Sequence, residues 1–218
     1  MKLIKNLMKI VLALLIAVLM AFGISFFAVY YQTSRDNIDY QQEIEKYAKE
    51  YDMDPLFIAS VVKVESGYNN EAESHMGAYG LMQLLDETAE HISQLESIKY
   101  EKDKLNNPDY NLKLGVAYLN YLYNYFGNWD LVLAAYNGGI GNVDSWINNG
   151  TLSQVNPDIT KIPITETRKY VSKVNSTYNI YKIFYKDKLP SDDELEDTFK
   201  LAEKNYISFI KNIFGDLI

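Results

Sequence analysis

One carboxylate in this 218-residue sequence occupies a position at which acid–base chemistry is possible. Glu65 continues the helical spacing of Ile58, Val61 and Val62, so it lies on the same face as an apolar stripe. Partial desolvation on that face raises the pKa of a carboxyl and keeps its proton available near neutral pH, as a general acid requires. A solvated glutamate that ends a helix has the same spacing, so the pattern leaves both interpretations open.

The segment after Glu65 has the composition of a binding loop. It carries Gly67, Gly77 and Gly80, and it ends in apolar residues that surround a single amide, Gln83. A buried amide is hydrogen-bonded to the backbone or to a ligand. Sugar hydroxyl and N-acetyl groups are suitable ligands for Gln83, and a structural bond to the loop explains the residue equally well.

Two later segments offer further polar groups. Tyr136 and Asn137 stand at a glycine-rich turn, residues 138–141, where glycine permits positive φ and a close approach of the backbone to a ligand. Both side chains fit either a turn or the wall of a binding site. Glu166 follows Thr165, which can cap a helix, and a carboxylate in a first helical turn is stabilised by the helix dipole. A structural role therefore also fits Glu166.

Composition argues against several classes of function. The chain has no Cys, and its two histidines, His75 and His91, lack an acidic partner at metal-ligand spacing. We therefore expect no metal and no other cofactor. Four of the 21 Lys and Arg lie in residues 1–35, whereas all 29 Asp and Glu follow them, so the remainder carries a net charge of −12. Because nucleic acids are bound through Lys and Arg, we expect no nucleic-acid partner.

The N-terminal segment predicts a membrane anchor. Lys2, Lys5 and Lys9 precede an uncharged run, residues 10–31, that is long enough to span about 30 Å of hydrocarbon as a helix. A cleaved signal peptide has a shorter apolar core followed by a small-residue cleavage site. The lysines favour a cytoplasmic N-terminus. We predict a single-pass membrane protein whose remaining chain lies outside the cytoplasm.

The periodicity after the anchor predicts helices and no strands, so the fold class is all-α. Asp54 and Pro55 form a clear helix start, because Asp caps free N–H groups and Pro suits the first helical position. Asp86 is a second candidate cap. The predicted helices cover residues 40–51, 55–65, 86–94, 108–126, 129–136, 166–185 and 192–214.

Four segments resemble, in the family's own order, the soluble-lytic-transglycosylase-like domain. They are Glu65-Ser66-Gly67-Tyr68; Ser74 with Gly77-Ala78-Tyr79-Gly80-Leu81-Met82-Gln83-Leu84; Ala135-Tyr136-Asn137-Gly138-Gly139-Ile140-Gly141; and Ile162-Pro163 followed by Glu166-Thr167-Arg168-Lys169-Tyr170-Val171. The resemblance covers residues 43–185. It implies a lysozyme-like helical fold and cleavage of the MurNAc–GlcNAc β-1,4 bond of peptidoglycan with formation of 1,6-anhydro-MurNAc.

The resemblance also implies roles for particular residues. Glu65 matches the single catalytic glutamate, which acts first as an acid and then as a base. Further matches line the saccharide cleft or lie in the same motifs: Ser74, Gln83, Tyr136, Glu166, Asn137 and Tyr170. This sequence departs from the family's usual residues at Leu85, Asp86 and Gly138, where Met, Pro and Ala are more frequent.

We accordingly expect residues 1–35 to form the anchor, 36–188 the catalytic domain and 189–218 an amphipathic helical extension. The expected protein is a monomer in the cell membrane that acts on peptidoglycan glycan strands, with envelope-spanning machinery as a candidate partner. Two alternatives stay open. A hydrolytic muramidase would use Glu71, Glu73 or Asp86 to hold a water opposite Glu65, and a catalytically silent module would bind the wall without cleaving it.

Overall fold

The computed structural model describes residues 1–35, 38–186 and 188–215. The described residues confirm the all-α class. They form α1 (Lys2–Arg35), α2 (Gln41–Glu50), α3 (Pro55–Glu65), α4 (Asp86–Leu95), α5 (Pro108–Phe126), α6 (Trp129–Gly138), α7 (Ile140–Asn148), α8 (Thr165–Tyr185), α9 (Asp192–Glu196) and α10 (Thr198–Phe214). Two short 3-10 turns cover Lys102–Lys104 and Ile159–Lys161.

Several helix starts follow directly from local sequence. The Asp54 carboxylate accepts a hydrogen bond from the Leu56 N–H at 2.9 Å, and Pro55 is the first helical residue of α3. Asn107 caps α5 in the same way, and Asn128 caps α6. These side chains satisfy N–H groups that a helix cannot satisfy internally.

Other boundaries differ from the sequence prediction. α8 begins at Thr165 itself and has no side-chain cap, and α4 begins at Asp86 without one, so both predicted caps are wrong. α7 was not predicted; its Val143 and Trp146 are buried at helical spacing, but the glycines before them suggested a turn. The final predicted helix is interrupted at Asp197, which caps α10 through the Lys200 N–H.

The loop between α3 and α4 contains a small antiparallel pair, β1 (Ala78–Tyr79) and β2 (Leu84–Leu85). Ala78 pairs with Leu85 and Tyr79 with Leu84. The pair is too short to show a sequence pattern. It forms because backbone groups in a partly buried loop need hydrogen-bond partners.

The core of the main unit is built around α5. Leu112, Val116, Leu119 and Leu122 of this helix are fully buried, as are Leu131 to Ala135 of α6. Gly115 of α5 is in close contact with Met82, because a Cβ at this glycine would lie 2.3 Å from the Met82 sulfur. α5 thus supports both the buried face of α6 and the loop that follows α3.

The structure divides into two compact units, which are described separately. The main unit contains α2 to α7 and α8 as far as Lys182. The smaller unit contains α1, α9 and α10, together with the last residues of α8. Within the smaller unit, Asn205 of α10 donates to the Thr33 hydroxyl at 3.0 Å, and the Tyr206 hydroxyl donates to the Phe22 carbonyl at 3.1 Å.

α1 is long and apolar enough to cross a membrane. Its apolar side chains are exposed along most of its length, from Leu3 to Leu19 and beyond. Length and composition are the basis of this assignment, and they agree with the predicted anchor at residues 10–31.

Candidate active site

The main unit contains an open cleft of about 520 Å³ at one end of its helices. The end of α3, the loop with β1 and β2, α5, the end of α6 and the start of α8 all contribute to it. Six residues singled out from the sequence line this cleft together: Glu65, Ser74, Gln83, Tyr136, Asn137 and Glu166. The seventh, Tyr170, is not a lining residue; it is buried in the unit and interacts with Glu65.

Glu65 is the last residue of α3 and keeps part of its surface open to the cleft. Burial raises the pKa of its carboxyl to about 7, and the Tyr170 hydroxyl and the Lys173 ammonium both act in the opposite direction. The desolvation expected from the apolar face is therefore the dominant effect. A carboxyl with this pKa carries its proton in about half of the molecules at neutral pH, so it can both donate and accept one.

Two tyrosines accompany the carboxyl: Tyr170 is buried, and Tyr136 is partly exposed to the cleft. The Tyr136 hydroxyl donates to the Met82 carbonyl at 2.7 Å, which fixes its position. The Tyr170 hydroxyl has no partner with full hydrogen-bond geometry among the described residues. Burial, followed by the negative charge of Glu65, raises the pKa of both phenols well above the usual value. Both therefore stay protonated, and Tyr170 can stabilise Glu65 when that carboxyl is ionised.

The loop after α3 holds its polar side chains through defined bonds. The Gln83 amide group donates to the carbonyls of Ala72 and Gly80, both at 3.0 Å. The structural bond considered for Gln83 is therefore present, and its amide oxygen has no protein partner among the described residues. The Ser74 hydroxyl accepts the Ala78 N–H at 3.0 Å, which leaves its own proton available. Both side chains can still bind a ligand in the cleft.

Asn111 of α5 holds this loop in place and was not identified from the sequence. Its amide group donates to the carbonyls of Tyr79 at 2.9 Å and Leu105 at 2.8 Å, and its oxygen accepts the Met82 N–H at 2.8 Å. The side chain is fully buried. A polar residue next to the apolar positions of α5 was the signal available, but it does not reveal which backbone groups the amide serves.

The close contact between this loop and α5 also requires glycine at position 80. Its φ is +73°, and a Cβ there would lie 2.4 Å from the Leu105 carbonyl oxygen and 2.5 Å from the Asn111 amide nitrogen. Only glycine adopts this conformation readily and leaves that space free. The residue thus lets the loop approach α5 closely enough for Asn111 to bond it.

Tyr118 of α5 is a further lining residue that sequence reasoning missed, because it fits the helical period of a core residue. Its ring lies 5.1 Å from the ring of Tyr136, and burial raises the pKa of its hydroxyl to about 12. Met76, Leu85 and Ile164 add exposed apolar surface to the cleft. The walls therefore combine aromatic and apolar surface with a few polar groups, as small-ligand sites do.

Asn137 and Glu166 lie at the rim of the cleft and are exposed. Glu166 is in the first turn of α8, and Asn137 is in the last turn of α6. Gly138 also lines the cleft, and a Cβ there would lie 2.9 Å from the hydroxyl oxygen of buried Thr167. Glycine at position 138, where Ala is more frequent in the family, therefore accompanies a close contact between α6 and α8.

The carboxylates considered for holding a water do not line the cleft. Asp86 binds the Tyr100 hydroxyl and forms an ion pair with Lys102 at 2.7 Å. Glu71 accepts a hydrogen bond from the Asn70 amide at 2.8 Å. None of Glu71, Glu73 and Asp86 is among the residues that line the cleft. Glu65 therefore has no such partner for activating water.

Among the described residues, no group of three or more His, Cys, Asp or Glu could hold a metal ion. Glu65 and the polar residues beside it are the cleft groups suited to acid–base chemistry. A carboxyl that donates and recovers a proton, beside polar groups suited to hydroxyl and amide ligands, can break a glycosidic bond.

The family model described as "Transglycosylase SLT domain" matches residues 42–156. Soluble lytic murein transglycosylases are similar to this chain: the Salmonella typhimurium protein is 34% identical over 162 residues, which are 71% of this chain and 25% of that protein. The Escherichia coli K12 protein is 33% identical over 154 residues, 68% of this chain and 24% of that protein. The chain thus spans about a quarter of the length of these relatives.

Solved structures agree with the sequence match. The crystal structure of the 70 kDa soluble lytic transglycosylase from Escherichia coli has a TM-score of 0.64 and 31% identity, over 71% of this chain and 26% of that one. For an inactive mutant of lytic transglycosylase Slt from Pseudomonas aeruginosa, the TM-score is 0.63 and the sequence identity is 32%, over 72% of this chain and 26% of that one.

Proposed function

We propose that this chain, which belongs to the transglycosylase SLT domain family, is a peptidoglycan lytic transglycosylase that cleaves the β-1,4 bond between MurNAc and GlcNAc. One observation carries the proposal: Glu65 has a carboxyl pKa raised to about 7 by burial, with no carboxylate contributing to it, and it lines a cleft of polar and aromatic groups. The soluble lytic murein transglycosylases that resemble the chain support the choice of substrate.

The electrostatics of Glu65 favour a single-acid mechanism. Retaining glycosidases place two carboxyl groups about 5–5.5 Å apart, and a second carboxylate at that distance raises the pKa of the first. Among the described residues, burial, Tyr170 and Lys173 are the influences on the Glu65 pKa, and no carboxylate contributes. The nucleophile is then supplied by the substrate.

In the first step, the Glu65 carboxyl donates its proton to the glycosidic oxygen as the bond from that oxygen to C1 of MurNAc breaks. The departing GlcNAc gains a hydroxyl group, and the N-acetyl oxygen of MurNAc stabilises the positive charge at C1. Tyr170 and Lys173 stabilise the carboxylate that remains. Because the charged and neutral forms of Glu65 are nearly equal in energy near neutral pH, this carboxyl can act first as an acid and then as a base.

In the second step, the Glu65 carboxylate removes the proton from the C6 hydroxyl of the same MurNAc. The oxygen attacks C1, so the product carries a 1,6-anhydro ring and Glu65 regains its proton. Because the nucleophile belongs to the same sugar, the step gains the advantage of an intramolecular reaction. No water is consumed, which is consistent with the absence of Glu71, Glu73 and Asp86 from the cleft.

Ser74, Gln83, Asn137 and Glu166 would bind the glycan. The free amide oxygen of Gln83 can accept from an N-acetyl N–H or a hydroxyl group, and the Ser74 hydroxyl can donate to a carbonyl. Tyr118 and Tyr136 provide aromatic surface. The substrate's position relative to Glu65 then depends on the loop that Asn111 holds.

The cellular location is part of the proposal. α1 would anchor the protein in the cell membrane as a single span with its lysine-bearing N-terminus in the cytoplasm, and the main unit would face the wall. In the proposed division, residues 1–35 are the anchor, 36–188 the catalytic domain and 189–218 the extension. The protein would act as a monomer on glycan strands.

The experiment that tests this function compares the full chain in detergent micelles with Glu65→Gln. We expect the wild-type protein to clear a suspension of purified peptidoglycan and the variant to be at least about a hundredfold slower, because it lacks the acid. Asp86→Asn serves as the control and should retain activity. Equal clearing by wild-type protein and Glu65→Gln would exclude Glu65 as the acid, and clearing by neither would favour a silent binding module.

A further inference from the structure

A second cavity is lined by other residues of the helices that form the cleft. It has a volume of about 480 Å³ and lies within the main unit. We call it the rear cavity and define it by Asp52, Asn120, Tyr123, Asn124, Trp129 and Tyr178, which are among its lining residues. None of these residues lines the cleft.

The same helices contribute to both sites through residues at different positions. α3 supplies Phe57 to the rear cavity and Glu65 to the cleft. α6 supplies Trp129 to the rear cavity and Tyr136 to the cleft. At a rise of 1.5 Å per residue, these pairs are separated by about 12 Å and about 10 Å along their helices. The rear cavity and the cleft share no lining residue, so they are separate sites within the main unit.

The aromatic wall of the rear cavity is a stack that leaves one ring open. Trp129 lies 4.5 Å from Phe57 and 4.3 Å from Tyr123, centroid to centroid, and its plane is within 22° of that of Tyr123. Tyr123 forms the outer side of the stack and is 38% exposed. Because the rings cover one another, they do not surround a cation. Phe57 is tilted by 52° to Trp129, whereas Tyr123 is stacked on it, so the flat surface open to a ligand is that of the exposed Tyr123 ring.

Two amides next to this surface lack structural bonds. Asn120 and Asn124 are four residues apart on α5, so they occupy one face of the helix beside Tyr123. Neither side chain has a hydrogen-bond partner among the described residues. Asn175, by contrast, donates to the Asp130 carboxylate at 2.6 Å. Asn120 is partly exposed and Asn124 is exposed, so both amides are open to a ligand.

The charged residues around the rear cavity indicate which class of ligand can bind there. Asp52 and Asp54 line the rear cavity, and no Lys or Arg lines it among the described residues. Asp54 is already engaged by the Leu56 N–H, by the Tyr178 hydroxyl at 2.7 Å and by the Lys182 ammonium at 3.4 Å, whereas Asp52 keeps its negative charge at the cavity. Carboxylates, such as those of a lactyl group or a stem peptide, are therefore disfavoured. A neutral ligand with a flat apolar face and several hydroxyl or amide groups is favoured.

We propose that the rear cavity is a second saccharide site that binds a GlcNAc residue of a glycan strand. The apolar face of the sugar ring would stack on Tyr123, and the Asn120 and Asn124 amides would bind its hydroxyl and N-acetyl groups. The choice of glycan rests on the proposed function. A strand held there keeps the enzyme on the wall, which raises the local concentration of bonds available to Glu65.

The test measures binding of chitotetraose, a neutral GlcNAc oligomer, by calorimetry. It uses the full chain in detergent micelles with Glu65→Gln, so that no sugar is cleaved. We expect Asn120→Ala combined with Asn124→Ala to remove one binding component or weaken it at least tenfold. Tyr123→Leu should do the same, because it keeps an apolar cover on Trp129 but has no flat ring. Circular dichroism confirms that each variant is folded.

Gln94→Ala is the matched control, since Gln94 is an exposed helical amide on α4 that lines neither site. It should leave every binding component unchanged. If the Asn120→Ala/Asn124→Ala and Tyr123→Leu variants bind chitotetraose as the parent protein does, the rear cavity is not a saccharide site. If these variants lose binding and the wild-type protein, with Glu65 intact, makes no anhydro products from peptidoglycan, the proposed function is contradicted and the second site stands.

Discussion

The buried hydroxyl of Tyr170 interacts with the carboxyl of Glu65, and the two groups influence each other's ionisation. Burial raises the pKa of Glu65 to about 7, and Tyr170 is the larger of the two groups that limit this rise. Since Tyr170 has no other partner with full hydrogen-bond geometry among the described residues, its hydroxyl is available to the carboxylate. We regard it as a positioning residue that makes ionised Glu65 less unfavourable.

Tyr170→Phe is expected to raise the pKa of Glu65 further and to lower kcat by about ten- to a hundredfold, because a hydrogen bond to a charged group contributes about 1.5–3 kcal/mol. In the pH profile of kcat/KM, the decline on the alkaline side should move to higher pH. Stability should change little at pH 4, where Glu65 is protonated, and should fall at pH 8, where the hydroxyl no longer stabilises the ionised carboxylate. Tyr121→Phe is the control; an unmoved alkaline limb in Tyr170→Phe would contradict the role.

The raised pKa of Glu65 also predicts how stability depends on pH. The folded-state pKa of about 7 lies above the ordinary value of 4.5, so between these values the unfolded chain loses its proton first. The contribution of Glu65 to the free energy of unfolding is therefore complete below about pH 4.5, declines as pH rises to 7, and then remains lower by up to about 3 kcal/mol.

Glu65→Gln removes this ionisation. We expect the variant to melt at a higher temperature than wild type at pH 8 and at nearly the same temperature at pH 4, measured for the full chain in detergent micelles. Glu73→Gln should melt like wild type at both values, since Glu73 lies outside the cleft. A melting temperature of Glu65→Gln that parallels wild type across this range would mean that Glu65 is not desolvated.

Gly80→Ala tests the loop that carries the cleft residues. The added Cβ would meet the Leu105 carbonyl and the Asn111 amide at a φ of +73°, so we expect a loss of about 3 kcal/mol or more and a large fall in activity. Gly150→Ala has a φ of +77° and open space around the Cβ, so it should lose only about 1–2 kcal/mol. Equal losses would show that contact with α5 is unimportant.

Local signals predicted much of the fold. The Asp54-Pro55 start, the apolar period of α5 and the buried run of α6 are encoded by neighbouring residues, and the structure confirms these helices. Asp86 was assigned as a cap, whereas its carboxylate binds Tyr100 and Lys102 instead. Those partners follow it by 14 and 16 residues, a separation at which local propensity carries no information.

The candidate site, like the fold, could be predicted only in part from local sequence. Glu65 stood out because its carboxyl shares the face of Ile58, Val61 and Val62, and this spacing implied desolvation. Asn111 and Tyr118 did not stand out, because each occupies an ordinary position in a helix that reads as core. Their roles depend on a loop and a helix that reach them through the tertiary fold. Sequence spacing singles out Glu65 as a candidate acid but does not reveal the residues that position its surroundings.

The products of peptidoglycan digestion test the central claim most directly. Mass spectrometry of muropeptides released by the full chain should show MurNAc ends that lack one water relative to reducing ends, because the C6 hydroxyl attacks C1 while Glu65 acts as the base. Digestion in H₂¹⁸O should leave these ends unlabelled. Reducing MurNAc ends that carry ¹⁸O would instead identify a hydrolytic muramidase and contradict the single-acid transglycosylase mechanism.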